Sequence, residues 1–196
     1  MRVLIAEDET IIRLDVRALL ERAGHEVVGE ARDGEEAIRL AVETEPDLIV
    51  MDVRMPHVDG IEAARQIVLK RPVPIVMLTA YAESDLVTRA SQAGAFAYLV
   101  KPFREVDLLP AIDTARARFE ELAALRDEAA SLAEALVSRK AVERAKGILM
   151  KRENIDEAEA FRRIRGASQQ TGRPMRVIAE ALIATFDDAP SGGQDA

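Results

Sequence analysis

Asp47-Leu48-Ile49-Val50-Met51-Asp52-Val53-Arg54-Met55-Pro56 decides the fold, because four apolar residues run without interruption into an aspartate and a turn. A short continuous apolar run bounded by turn residues reads as a strand buried on both faces. Strands of that kind belong to parallel sheets with helices on either side. Working outward, Val3-Leu4-Ile5-Ala6 is followed by Glu7-Asp8, and Tyr98-Leu99-Val100 is followed by Lys101-Pro102. If these runs are neighbours in one sheet, their carboxyl ends open onto a single crevice, where open α/β sheets collect functional groups. Three carboxylates then face one lysine. Such a cluster repels itself until a hard cation or a proton enters it, which suits Mg2+ and a phosphoryl group.

The same alternation continues through the first 118 residues. Strand-like runs near 2–6, 26–31, 47–51, 74–79 and 97–100 are separated by helical periodicity near 10–23, 34–44, 59–70, 84–93 and 105–118. Asp33 and Ser84 are placed to cap helices, and Gly24 and Gly94 to end them. Five successive βα units imply an α/β domain, a five-stranded parallel sheet wound on both faces. Past residue 118 no strand signal returns. A helix rich in Ala, Leu and Glu takes over, with Leu122, Leu125, Ala129, Leu132 and Leu136 three and four residues apart. That seam covers about two heptads and is open to two readings, pairing with a second copy or packing on its own chain. Three further helices are expected: about 137–153, continuous with the seam or separate from it; Asp156 to near Gly172, with Asp156 and Glu159 as N-cap and third-position pair; and Pro174 to about Phe186. The end from Asp187, with Pro190, Ser191, Gly192 and Gly193, reads as disordered. The organisation expected is 1–118, a connector at 119–137, a helical unit at 138–187 and a tail at 188–196.

Composition removes several function classes. There is no cysteine among the 196 residues, so disulfides, thiolate zinc sites and cysteine nucleophiles are out, and two histidines, His25 and His57, leave no imidazole-rich metal site. No apolar stretch approaches the roughly 18 residues that cross a membrane, so the chain reads as a soluble cytoplasmic protein. The net charge of -8 hides an asymmetry. Residues 1–120 carry 15 Lys/Arg against 22 Asp/Glu, whereas residues 138–176 carry 11 against 5. An acidic front and a basic rear suggest a regulatory domain and an anion-binding output.

At this point the residues carry a resemblance. Glu7-Asp8, Asp52 followed by Met55-Pro56 and Asp59-Gly60, Thr79-Ala80, and Tyr98 before Lys101-Pro102 resemble, in order and spacing, the receiver domain of two-component response regulators. The resemblance implies a flavodoxin-like sheet and a phosphorylated switch. Asp52 would be the phosphoacceptor. Glu7, Asp8, Asp52 and the backbone carbonyl of Arg54 would hold Mg2+, and Lys101, through a cis bond to Pro102, would pair with the phosphoryl group. Thr79 would donate its hydroxyl to a phosphoryl oxygen and draw its loop inward, making room for Tyr98 to rotate. The face formed by the helix near 84–93, the strand near 97–100 and the helix near 105–118 would then change with phosphorylation.

Residues from about 130 to 187 resemble the ANTAR domain of AmiR/NasR-type antitermination regulators. The matching words are Leu136-Val137-Ser138-Arg139, Val142-Glu143-Arg144 running on into Ala145-Lys146-Gly147-Ile148-Leu149-Met150, Ala160-Phe161, Ala167, and Arg173-Pro174-Met175 with Val177-Ile178-Ala179. Receiver, connector and ANTAR in this order resemble the phosphorylation-dependent antitermination regulators of actinobacteria. The resemblance implies a sensor histidine kinase upstream and paired RNA hairpins in leader transcripts as the ligand; phosphorylation would then either promote a homodimer, for which the seam is one candidate contact, or release the output for RNA. By matching position, Arg139, Lys146 and Gly147 would lie on or near the RNA face, with Gly147 allowing a close backbone approach. Lys140, Arg144 and Arg173 join them by charge. With Phe161 and Phe186 as the only aromatics from residue 121 on, recognition by exposed stacking rings is disfavoured, and Arg and Lys must carry it.

Two other outputs compete. A helix-turn-helix binding duplex DNA fits three short helices and the Gly172 turn, but the last helix offers Arg173 and Arg176 and then Val177-Ile178-Ala179-Glu180-Ala181-Leu182-Ile183, a poor reading head. A rear that binds protein alone predicts no salt-sensitive nucleic-acid affinity. An enzyme is the weakest reading, since the rear has no histidine and no pairing of nucleophile with base.

Overall fold

The computed structural model describes residues 1–80 and 93–187. Five strands form one parallel sheet: β1 (Arg2–Ala6), β2 (Glu26–Ala31), β3 (Leu48–Asp52), β4 (Ile75–Thr79) and β5 (Ala97–Val100). Their order across the sheet is β2-β1-β3-β4-β5. Strand direction and order are those of a doubly wound, flavodoxin-like sheet. The helices are α1 (Thr10–Arg22), α2 (Gly34–Thr44), α3 (Gly60–Lys70), α4 (Glu105–Glu153), α5 (Glu157–Thr171) and α6 (Met175–Asp187). The helix expected near 84–93 with its Ser84 cap, and the tail at 188–196, lie outside the described residues.

Sequence accounts for the main boundaries. Asp33, Asp59 and Asp156 each accept a hydrogen bond from a backbone N–H three residues on, at Glu36, Glu62 and Glu159, satisfying a donor that the first helical turn leaves unpaired. Gly172 ends α5 with φ 67°, a left-handed conformation that glycine adopts without steric cost. β3 and β4 are buried at every position, as an interior parallel strand must be. One apolar cluster fills the side of the sheet under α2 and α3, including Ile49, Met51, Ile67, Ile75 and Met77. Another fills the opposite side under α1 and the start of α4, including Ile5, Leu20, Val50, Leu78, Leu108 and Ile112.

One boundary differs from expectation. The helix expected at 105–118, the seam helix that follows it and the stretch at about 137–153, whose continuity with the seam the sequence leaves open, are a single helix, Glu105–Glu153. Between Pro110 and Gly147 it holds neither glycine nor proline and is dominated by strong helix formers, so nothing stops propagation. Internal contacts divide the chain into two compact units, Met1–Ala124 and Leu125–Ala196. In the first, Phe119 meets Phe96 edge to face with ring centroids 5.5 Å apart, and the Arg118 guanidinium donates to the Phe96 carbonyl at 3.3 Å. The second has its own core of Val142, Ala145, Leu149, Ala160, Ile164 and Ala179.

Candidate functional site

Parallel pairing brings the acidic residues together. Ala6 lies beside Met51 across β1 and β3, so Glu7, Asp8 and Asp52 emerge at the same edge of the sheet. Carboxylate oxygens of these three residues lie within 4.8 Å of one another. Glu7 is fully buried and Asp52 is 5% exposed, whereas Asp8 is exposed. Lys101 reaches in from the end of β5, its Nζ 2.6 Å from Glu7 Oε2 and 3.1 Å from Asp52 Oδ1. The Lys101 amide donates to the Thr79 carbonyl at 2.7 Å, which fixes where the lysine leaves the sheet, and the Lys101-Pro102 bond is cis.

Burial and charge shape the titration of this cluster. Burial pushes the Asp52 carboxyl above its ordinary value, and the nearby Lys101 charge offsets only part of that rise. Burial likewise raises Glu7, against the hydrogen bond from Lys101 and with the Asp52 charge adding to the rise. For Lys101 burial acts downward, but its bonds and attraction to Glu7 and Asp52 outweigh it, and the ammonium is held above its usual value. A site of three crowded carboxylate oxygens, two of them desolvated, with one counter-cation is chemically suited to a hard, oxygen-seeking divalent ion.

The remaining receiver residues are placed as follows. Thr79 ends β4 and is 5% exposed. Tyr98 is half exposed on β5, opposite Met77 of β4. Arg54 is exposed in the loop after β3, two residues past Asp52. Sequence alone names Gly60 within its motif without its packing role, and it does not point to Arg13. A side chain at Gly60 would put its Cβ 1.9 Å from the Asp52 carbonyl oxygen, so glycine is required for α3 to start against the end of β3. Arg13 of α1 is 6% exposed and donates to the carbonyls of Glu7 and Asp8. Helical periodicity alone puts a buried residue at that position but does not reveal its partners.

In the second unit, Arg139, Lys140, Arg144 and Arg173 are exposed. Lys146 departs from the expected RNA face. It is 7% exposed, and its Nζ is clasped by Glu143 Oε1 at 2.9 Å and Glu157 Oε1 at 2.6 Å. It follows Ala145 on the edge of the buried stripe of α4, so its stem packs inward and its charge ties α4 to α5. The hydrogen bonds it donates to Glu157 and Glu143 hold its ammonium above the usual value. Lys140, Arg144, Gly147 and Lys151 lie four, three and four residues apart, opposite the buried Val142, Ala145 and Leu149. A Cβ added at Gly147 would meet nothing within 4 Å. Several other cations are internally compensated: Arg162 by Glu159, Arg163 by Glu153 and Glu159, and Arg176 by Glu134 and Glu180. Arg152 stacks over the Phe186 ring at 4.8 Å.

Comparison with known proteins agrees with both halves. Residues 3–113 match the response regulator receiver domain, and residues 130–183 match the ANTAR domain. The chain is 52% identical over 185 residues to the transcriptional regulatory protein PdtaR of Mycobacterium tuberculosis, covering 94% of this chain and 90% of that one. Among solved structures, the receiver domain of a modulated diguanylate cyclase from Desulfovibrio desulfuricans is 31% identical with a TM-score of 0.57, covering 61% of this chain and 95% of the other. The receiver domain of the putative response regulator NarL from Mycobacterium tuberculosis is 32% identical with a TM-score of 0.56, covering 59% and 95%. Sheet order, acidic cluster and both domain matches lead to one assignment: the chain belongs to the response regulators in which a receiver domain is followed by an ANTAR domain.

Proposed function

We propose that this protein receives a phosphoryl group on Asp52 from a sensor histidine kinase and in response binds paired RNA hairpins through its ANTAR domain, promoting transcription antitermination. The observation that carries the first step is the convergence of Glu7, Asp8 and Asp52 within 4.8 Å, with Lys101 bonded to two of them. An Asp52 oxygen attacks the phosphorus of a phosphohistidine; a P–O bond forms, the P–N bond breaks and the imidazole leaves. Glu7, Asp8, Asp52 and the Arg54 carbonyl would hold Mg2+, which when bound offsets the negative charge of carboxylates and phosphoryl oxygens. Lys101 exchanges its contact with Asp52 for one with the phosphoryl group. Thr79 donates its hydroxyl to a phosphoryl oxygen, and Tyr98, half exposed beforehand, turns toward the space that Thr79 vacates.

For the output, the stripe Lys140, Arg144, Gly147 and Lys151, its three cations exposed and its glycine half-buried, faces RNA together with Arg139 and Arg173. Arg139, Lys140, Lys151 and Arg173 make no side-chain ion pair among the described residues, so their charge is not already offset within the fold. Lys146 contributes by bracing α4 against α5. Leu125, Leu132 and Leu136 are each more than half exposed on α4 and would seat a second copy when the receiver is phosphorylated. The test is hairpin binding by the full chain and by Asp52→Asn, each with and without a small phosphoryl donor and Mg2+. Donor-dependent tightening in the wild type and none in the variant is expected. Equal affinity in all four mixtures, or preference for duplex DNA over hairpins at fixed salt, overturns the reading.

A further inference from the structure

Arg13 takes no part in the chemistry just described, yet its surroundings are those of the phosphorylation site. In the first turn of α1 its Nη1 donates to the Glu7 carbonyl at 2.7 Å and to the Asp8 carbonyl at 3.3 Å. Its Nε donates to Glu30 Oε2 at 3.2 Å, and its Nη2 to Thr10 Oγ1 at 3.4 Å. Glu30, on β2, is held in turn by Arg17 of α1, whose Nη1 lies 2.7 Å from Glu30 Oε1. Arg13 is 6% exposed, and burying its charge is unfavourable unless it is paired and hydrogen-bonded. Among the described residues its partners all belong to the β1–α1 loop, to the start of α1 or to the strand beside β1.

That loop has a reason to move. Glu7 and Asp8 stand close to each other and to Asp52, and the single Lys101 ammonium offsets only part of three carboxylate charges, so mutual repulsion favours splaying them apart whenever no divalent cation lies between them. We propose that Arg13 is a positioning residue: by gripping the two carbonyls it keeps the Glu7 and Asp8 carboxylates converged, with Glu30 anchoring the guanidinium from β2. The proposal rests on reading Glu7, Asp8 and Asp52 as an Mg2+ site. A lysine at this position brings the charge but not the planar fork that spans two carbonyls and a carboxylate together.

The test uses the full chain, with Mg2+ binding measured by calorimetry and melting followed with and without Mg2+, before any phosphoryl donor is added. Arg13→Met is expected to weaken Mg2+ binding tenfold or more and to abolish the rise in melting temperature that Mg2+ gives the wild type. Arg13→Lys and Glu30→Gln fall between. Arg17→Gln, which touches Glu30 but not the loop, stays near wild type. At saturating Mg2+, labelling of Asp52 by a small phospho-donor recovers to within a few-fold in Arg13→Lys, which a merely misfolded protein would not do. If Arg13→Met does not fold, Arg13→Lys and Glu30→Gln decide the matter. Unchanged Mg2+ affinity in both, whatever their stability, overturns the proposal. Absence of Mg2+ binding by the wild type overturns the metal reading beneath it instead.

Discussion

Asp52 is held in a place that opposes its charge, and the consequence can be measured without any phosphoryl donor. Its folded-state pKa is raised from 3.8, mainly by burial, so the native carboxyl holds its proton more tightly than the unfolded one. Stability from this group is therefore greatest at low pH and is lost as pH rises from the unfolded value through the folded one. Glu7, raised from 4.5 mainly by burial, acts with the same sign. Lys101 is raised from 10.5, so its contribution is intact throughout this acidic window and fades only in strong alkali. Asp52→Asn should stabilise the metal-free protein at neutral pH, by on the order of 1 kcal/mol, and flatten the loss of stability with rising pH. Urea titrations in chelator from pH 4 to 8 check this, and a variant less stable than wild type at pH 7 would show that Lys101 more than offsets the desolvation. Gly147 gives a second residue-scale prediction. It stands inside a helix with open space where a Cβ would go, so Gly147→Ala should stabilise the second unit by about 0.5–1 kcal/mol. If RNA approaches the backbone there, the same change weakens hairpin binding. Stability and affinity moving in opposite directions is the expected signature, and a more stable protein with unchanged affinity removes Gly147 from the interface.

Elements explain which of these features could be anticipated. The strands other than β2 were legible because each is a short apolar run stopped by charge or turn residues, β2 because its Val27-Val28 pair falls between two helical stretches, and the caps at Asp33 and Asp156 because side chain and backbone donor are three residues apart. Glu7, Asp8, Asp52 and Lys101 could be grouped because all follow strand ends, and parallel pairing gathers strand ends. The single 49-residue helix was harder to see, since change of partner along its length alters the apolar pattern without breaking the backbone. The burial and pairing of Lys146 were hidden for a related reason: charge in sequence does not reveal a partner eleven residues away in the next helix. Its clasp carries a prediction for α4 and α5. Lys146→Glu would set a third carboxylate against Glu143 and Glu157 and should lower the melting temperature of the second unit. Lys146→Met should fall less, because the two glutamates, more than half exposed, can return to water. If both variants melt like the wild type, the clasp contributes nothing to holding α4 and α5 together.

At the scale of the molecule, a net charge of -8 coexists with a rear that is locally positive, so long-range attraction to RNA has to come from the distribution of charge. Internal pairing narrows the set available for phosphates, since Arg162, Arg163 and Arg176 already meet carboxylates. If Arg139, Lys140, Lys151 and Arg173 each engage a phosphate, hairpin affinity should fall with salt at a log-log slope of about -3, the value for roughly four contacts on RNA treated as single-stranded. Lys140→Ala or Lys151→Ala should each reduce the magnitude of that slope by about one contact's share and weaken all hairpins alike. Arg162→Ala, which removes a cation already offset by Glu159, should leave the slope unchanged. Phosphorylation adds negative charge at the opposite end of the sequence, so direct attraction cannot explain a tighter complex. Coupling must pass through a change of conformation or of oligomeric state, and a shift of about 1–3 kcal/mol is enough for a usable switch. Sedimentation of the phosphorylated chain, with and without Leu132→Glu and Leu136→Glu, separates the two routes. If the seam is the route, the variants remain monomeric and lose the donor-dependent gain in affinity while keeping the basal salt slope. Retention of the full gain by a monomer would place the switch within one chain.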